Sequence, residues 1–197
     1  MHKAAARRGR AAAFLALAAT LAALALSAGC GGRVAYANHR YRFALTYDAA
    51  LTPTDSVTPA VSGGQRPAYV VAFLDPKAPR VGGRYVDGVW VAVLRLPAGA
   101  QWPSLSAVAA ELRLRLSASV IRGLHGSVTD AIARTANGRP EWVIGYAYDL
   151  DGTAVRALTY VIVRGDYEYQ VTLQTAAARW PQMLPRLAPT VDSFSLR

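Results

Sequence analysis

A chain of 197 residues, 53% of them apolar and with ten tyrosines and four tryptophans, is long enough for one ordinary domain and too rich in core-forming side chains to be disordered. Of its formal net charge of +10, four cations (Lys3, Arg7, Arg8, Arg10) lie in the first ten residues; the +6 that remains is spread over many loops, which favours anionic surfaces such as phospholipid headgroups and does not point to nucleic acid. The single cysteine excludes an intrachain disulfide framework and any multi-cysteine metal site.

The basic first ten residues are followed by an uncharged run, AAAFLALAATLAALAL (11–26), and then by Ser27, Ala28, Gly29 and Cys30. That order reads as the n-region, h-region and small-residue cleavage site of an export signal. Ala28, Gly29 and Cys30 resemble the last three positions of the bacterial lipobox, in which cleavage leaves a diacylglyceryl-modified cysteine at the new N-terminus; Ser27 stands where leucine is usual. Cys30 is therefore expected to be acylated, palmitate included, and the protein to be exported and held at a cell membrane or envelope. Two or three acyl chains anchor stably where one does not, at about 0.8 kcal/mol per buried methylene. An uncleaved membrane anchor, or an ordinary signal peptidase that releases a soluble protein, are the alternative readings. The expected layout is a signal peptide at 1–29, a lipidated N-terminus with a short linker at 30–39, and one domain at 40–197.

Along that domain, Tyr41, Phe43, Leu45 and Tyr47 alternate and predict a first strand. Residues 48–66 are rich in Pro, Thr, Ser and Gly and predict a long loop. AYVVAFL (68–74) and VWVAVLRL (89–96) are apolar on both faces and predict buried strands, separated by a basic loop at 75–88. Pro103 opens a helix, with Leu105, Val108, Ala109, Leu112 and Leu116 at helical spacing. A meander follows: 128–136, the turn signal Asn137-Gly138, 141–150, Asp151-Gly152, 153–163, the turn Arg164-Gly165-Asp166, and 167–175. In the last of these, Tyr167, Tyr169, Val171 and Leu173 are expected inward and Glu168, Gln170, Thr172 and Gln174 outward. A second helix starts at Trp180-Pro181 and runs through Met183, Leu184 and Leu187. The pattern predicts an α+β domain: a mostly antiparallel sheet of about seven strands with helices packed on it.

Four stretches in this order, YRFALTYD, ANGRPEWVIGYAY, GDYEYQVTLQT and the closing VDSFSL, together resemble the PsbP-like family. That fold is shared by photosystem extrinsic proteins, a Ran-binding nuclear factor and many bacterial lipoproteins, including the actinobacterial LpqN/LpqT type. The resemblance implies a binding or assembly protein without catalytic residues, so there is no active site to carry over onto this chain.

The residues themselves offer few sites. No GxSxG elbow is present, and Ser127 beside His125 is sequence proximity only. His39 and His125 lack acidic partners at ligand spacing, so no metal is expected, and no cofactor. Arg164-Gly165-Asp166 reads as a turn that uses glycine. Lys77, Arg80 and Arg84 in the basic loop, with Arg113, Arg115 and Arg122 on or after the first helix, are the candidate contacts for an anionic ligand. Tyr146, Tyr148, Tyr160, Tyr167 and Tyr169 read as core. The expectation is a non-catalytic, lipid-anchored envelope protein, monomeric, binding a partner protein or a lipid. A lipid carrier with an internal pocket is the alternative, and a hydrolase is the least supported.

Overall fold

The computed structural model describes residues 32–55, 67–99, 104–117, 125–136 and 139–197. The alternating and two-sided apolar runs become antiparallel strands: β1 (Arg33–Asn38), β2 (Phe43–Asp48), β3 (Thr52–Asp55), β4 (Tyr69–Leu74), β5 (Arg80–Val81), β6 (Arg84–Tyr85), β7 (Gly88–Arg95), β8 (Gly126–Ala136), β9 (Arg139–Leu150), β10 (Thr153–Arg164), β11 (Tyr167–Ala176) and β12 (Ser195–Leu196). Helix α1 (Leu105–Ser117) lies between β7 and β8, and α2 (Trp180–Asp192) between β11 and β12. Seven strands form one sheet in the order β3-β4-β7-β11-β10-β9-β8. After β7 the chain passes through α1 to the far edge, and the four-strand meander β8 to β11 returns beside β7. A smaller sheet, β1-β2-β12, and the two-stranded hairpin β5-β6 complete the strands. The fold is α+β, with the seven-stranded antiparallel sheet that the alternation predicts.

The two faces of the large sheet are buried by different layers. On one face Val71, Phe73, Val89, Val91, Val93, Val171 and Leu173 pack with Met183, Leu187 and Val191 of α2 and with Phe43, Leu45 and Tyr47 of β2. On the other, Ile144, Tyr146, Tyr148, Val155 and Val161 pack with Leu105 and Val108 of α1 and Val81 of β5. A strand covered on both sides needs apolar residues at every position, which is why β4 and β7 read as continuous apolar runs.

Four expectations change. Residues 33–38, taken from the sequence as part of the linker, are strand β1, paired with β2 along its whole length; RVAYAN hides this because only Tyr36 and Asn38 of the six are partly covered. Within the predicted loop at 48–66, Thr52–Asp55 is the edge strand β3, where Pro53 is tolerated because edge positions lack one ladder partner. The basic loop at 75–88 contains the β5-β6 hairpin. Thr172 and Gln174, expected outward, are buried: Thr172 shares a 2.7 Å hydrogen bond with Thr159, and Gln174 accepts one of 3.0 Å from the Tyr148 hydroxyl. Alternation shows which residues share a face but not whether a second layer covers it. Pro103, Asn137 and Gly138 lie outside the described residues.

Helix α2 is fixed by charge as well as by packing. Arg179, just before it, donates to Asp87 and lies 3.7 Å from Asp75; Arg186 lies 3.5 Å from Asp75 and donates to Asp48 at 3.1 Å. The result is an alternating chain, Asp87–Arg179–Asp75–Arg186–Asp48. Asp87 is 2% exposed and also accepts from the Thr175 hydroxyl (2.6 Å) and the Ala176 amide (3.1 Å). Burial alone would raise the Asp48 carboxyl, but the Ala50 amide and the Arg186 and Arg33 guanidiniums carry it below its usual 3.8. This carboxylate therefore contributes stability at neutral pH that is lost as pH falls through a value below 3.8. Replacing Arg179 by Met leaves the buried Asp87 carboxylate without its cation, while Asp75 keeps Arg186. Urea unfolding of Arg179→Met should show a loss of about 3 kcal/mol, the low end for a broken buried pair because the guanidinium is partly exposed. A loss within experimental error of zero would show that apolar packing alone seats the helix.

Candidate functional site

Three separate segments meet at one end of the large sheet. The first is the β1–β2 turn, His39–Arg42. Asn38 pairs with Phe43, so four residues close the hairpin, and the Asn38 side-chain oxygen accepts the Tyr41 amide at 3.0 Å. Arg42 sits at φ 52°, a left-handed conformation that costs an L side chain about 1–2 kcal/mol. Tyr41 anchors the turn: its ring stacks on Tyr69 at 5.3 Å and meets Tyr167 edge-on at 5.7 Å. Its hydroxyl donates to the Ala68 carbonyl at 3.0 Å, and its own carbonyl accepts the Tyr169 hydroxyl at 2.9 Å.

The second segment is the β10–β11 turn. Arg164 pairs with Tyr167, leaving Gly165 and Asp166 as the two central residues. Gly165 has φ 58° at the first of these positions, where the reversed turn of a tight hairpin requires glycine. The Asp166 carbonyl accepts the Leu96 amide at 2.8 Å. The third segment is Arg197, which follows β12 and whose amide donates to the Arg42 carbonyl at 2.7 Å.

Between them lies a pocket of about 380 Å³ lined by four arginines, Arg40, Arg42, Arg164 and Arg197, and by Tyr41, Tyr167 and Tyr169, with Gly165 and Asp166 at the turn. A second hollow of about 230 Å³ shares Arg42 and Arg197 and adds Asn38 and His39. The electrostatics are one-sided. Arg134, Arg179 and Arg186 each face a carboxylate, whereas among the described residues no carboxylate side chain lies within 4.0 Å of the four pocket guanidiniums. Burial pushes the Tyr169 hydroxyl above its usual 10, and Arg164 and Arg42 pull against that shift, so both charges act at the same phenol. Guanidinium forks match the oxygens of a phosphate or carboxylate. The lining holds no serine, threonine, cysteine or histidine, and its four arginines give the pocket what binds an oxyanion.

Of the residues expected from the sequence, Lys77, Arg80 and Arg84 lie elsewhere. Arg80 and Arg84 sit on the β5-β6 hairpin, with Lys77 just before it. Arg80 lies over the Tyr85 ring at 4.1 Å and donates to its hydroxyl. A β-carbon on Gly82 would collide with Asp151, so this hairpin abuts the β9–β10 turn, at the opposite end of β10 from Arg164. Arg113 and Arg115 lie on α1, but their side chains, like Arg122 and Cys30 as whole residues, are outside what the structure describes. His125 is exposed before β8. Tyr146, Tyr148, Tyr160 and Tyr169 are buried in the core, and Tyr167 is half-buried at the pocket. Arg164-Gly165-Asp166 is the turn expected of it, and its arginine is also a wall of the pocket. The HRYR stretch at 39–42 carried a legible signal only in its cations flanking an aromatic. Nothing in the sequence joins it to Arg164 or Arg197.

A glycine is free of the left-handed penalty, so Arg42→Gly should raise unfolding free energy in urea by about 1 kcal/mol, whereas Arg42→Ala, which keeps the strain, should not. Equal stability of the three proteins would mean the turn carries no strain.

Comparison with known proteins follows the same outline. The family model described as PsbP matches residues 96–196. No curated protein matches the chain significantly. The solution structure of cyanobacterial PsbP (CyanoP) from Synechocystis superimposes with a TM-score of 0.64 at 15% identity, over 86% of this chain and 95% of that one. PA94 from Pseudomonas aeruginosa, a protein of unknown function, gives 0.51 at 16% identity, over 85% and 99%. LpqN of Mycobacterium tuberculosis gives 0.45 at 16%, over 85% of each chain. The matched stretch contains Arg164 but neither Arg40, Arg42 nor Arg197, so the pocket cannot be borrowed from the family match.

Proposed function

The chain belongs to the PsbP family, and from that premise we propose that it is an exported, lipid-anchored envelope protein that binds a ligand or partner and performs no chemistry on it. The observation that supports the reading is a pocket lined by four arginines and by no serine, threonine, cysteine or histidine. A pocket of about 380 Å³ lined by four arginines suits a polar headgroup or an acidic side chain better than an acyl chain, which favours binding over lipid carriage. The basic start, the uncharged run and Cys30 in an otherwise cysteine-free chain support the anchor.

Fractionation tests the anchor directly. In a bacterial host that processes lipoproteins, the wild-type protein should sit in the membrane fraction and carry acyl mass on its N-terminal peptide. Cys30→Ala should lose that mass and move to the soluble fraction. Unchanged membrane retention of the variant would replace the acyl anchor with an uncleaved apolar helix.

A further inference from the structure

The geometry points to a phosphate-ester site: the pocket formed by Arg40, Arg42, Arg164 and Arg197 takes the phosphate of a glycerol- or sugar-phosphate group. This deepens the reading of the protein as a binder and rests on it.

Three observations converge. First, the lining sets four guanidiniums against one carboxylate, Asp166. Neutralising several forks at one place takes an anion with more than two acceptor oxygens. A phosphate presents oxygens in several directions, whereas a carboxylate presents two in one plane. Second, the volume exceeds what a bare phosphate fills, and the remaining wall is Tyr41, Tyr167 and Tyr169. The Tyr41 and Tyr169 hydroxyls already donate to main-chain carbonyls, so what these two side chains offer a ligand is carbon surface. That suits the carbons of a glycerol or sugar beside the phosphate. Third, Arg42 occupies a left-handed position that glycine fills without strain. A strained backbone that presents a cation to a pocket is the arrangement expected where the side chain is needed for binding.

The same chemistry has two sources, a phospholipid headgroup in the membrane that holds the anchor, or a free phosphorylated metabolite. The test uses the full acylated protein in non-ionic detergent, titrated separately with sn-glycerol 3-phosphate, with micelles doped with phosphatidylglycerol, and with glycerol as the uncharged control. Saturable binding of glycerol 3-phosphate supports a free phosphoester; binding of phosphatidylglycerol micelles alone supports a headgroup. In either case Arg164→Ala and Arg40→Ala should each weaken binding roughly tenfold, the scale of losing one charge-assisted contact. Arg164→Lys, which keeps the charge and loses the fork, should fall between Arg164→Ala and wild type. The double variant Lys77→Ala/Arg84→Ala removes twice as much charge as either single variant, from the far end of the sheet, and should bind within about twofold of wild type. Circular dichroism confirms that each variant is folded. Binding of neither probe, or an equal loss in the Lys77/Arg84 variant, overturns the site. The anchor is read separately: a Cys30→Ala protein that leaves the membrane while no probe binds refutes the phosphate site alone, and retention in the membrane with intact phosphate binding refutes the anchor alone.

Discussion

The alternating chain Asp87–Arg179–Asp75–Arg186–Asp48 sets where α2 lies, and the placement of the C-terminal segment follows from it. Asp87 stands just before β7, Asp75 just after β4, and Asp48 ends β2. Two arginines on one side of the helix therefore tie it to both the large and the small sheet. Apolar packing alone is non-directional and would tolerate sliding of a helix whose buried side is Met183, Leu187 and Val191. Buried carboxylates are not tolerant in that way, because each must keep its cation or bear the cost of desolvation. Met183 joins the two arrangements: its sulfur contacts both guanidiniums while its side chain fills the core.

From the end of α2 the consequences run to the pocket. The Ser193 hydroxyl accepts the Thr46 amide at 2.8 Å and reaches the Thr46 and Thr190 carbonyls, turning the chain onto β2. Phe194 stacks on Phe43 at 5.5 Å. β12 then pairs with β2, and the Arg197 amide reaches Arg42. The β1–β2 turn is held by Tyr41 from below and by Arg197 from the side. It meets the β10–β11 turn because Tyr41 and Tyr167 are in edge contact.

This places a cationic pocket on loops at one end of a well-packed sheet. Loops carried by such a scaffold can vary without disturbing the core, so a family with one fold can hold different ligands in different members. Preorganisation matters here because four like charges gathered beside a single carboxylate side chain, Asp166, repel one another. The aromatic anchors and main-chain hydrogen bonds hold the arginine-bearing turns in place, so little ordering remains to oppose binding.

Much of the fold was legible in the chain. Strict alternation at Tyr169, Val171 and Leu173, two-sided apolar runs at β4 and β7, and Asp151-Gly152 with φ 49° and 80° at a tight hairpin each follow from local chemistry. So did the α+β class and both helices. β1 and β3 were not legible: edge strands of four and six residues bury little and carry no clear period. Nor was the second covering layer that turns Thr172 and Gln174 inward. The site divides the same way. HRYR gathers cations around an aromatic, but the sequence does not mark it as a turn, and Arg42 joins Arg164 and Arg197 only after the 121 and 154 residues between them have folded. Local pattern determined the longer strands and the Asp151-Gly152 and Gly165-Asp166 turns, because each depends on neighbours a few residues away. Which arginines stand together, and which are left without a carboxylate, was decided by the tertiary structure alone, because charge acts through space and the sequence does not record distance.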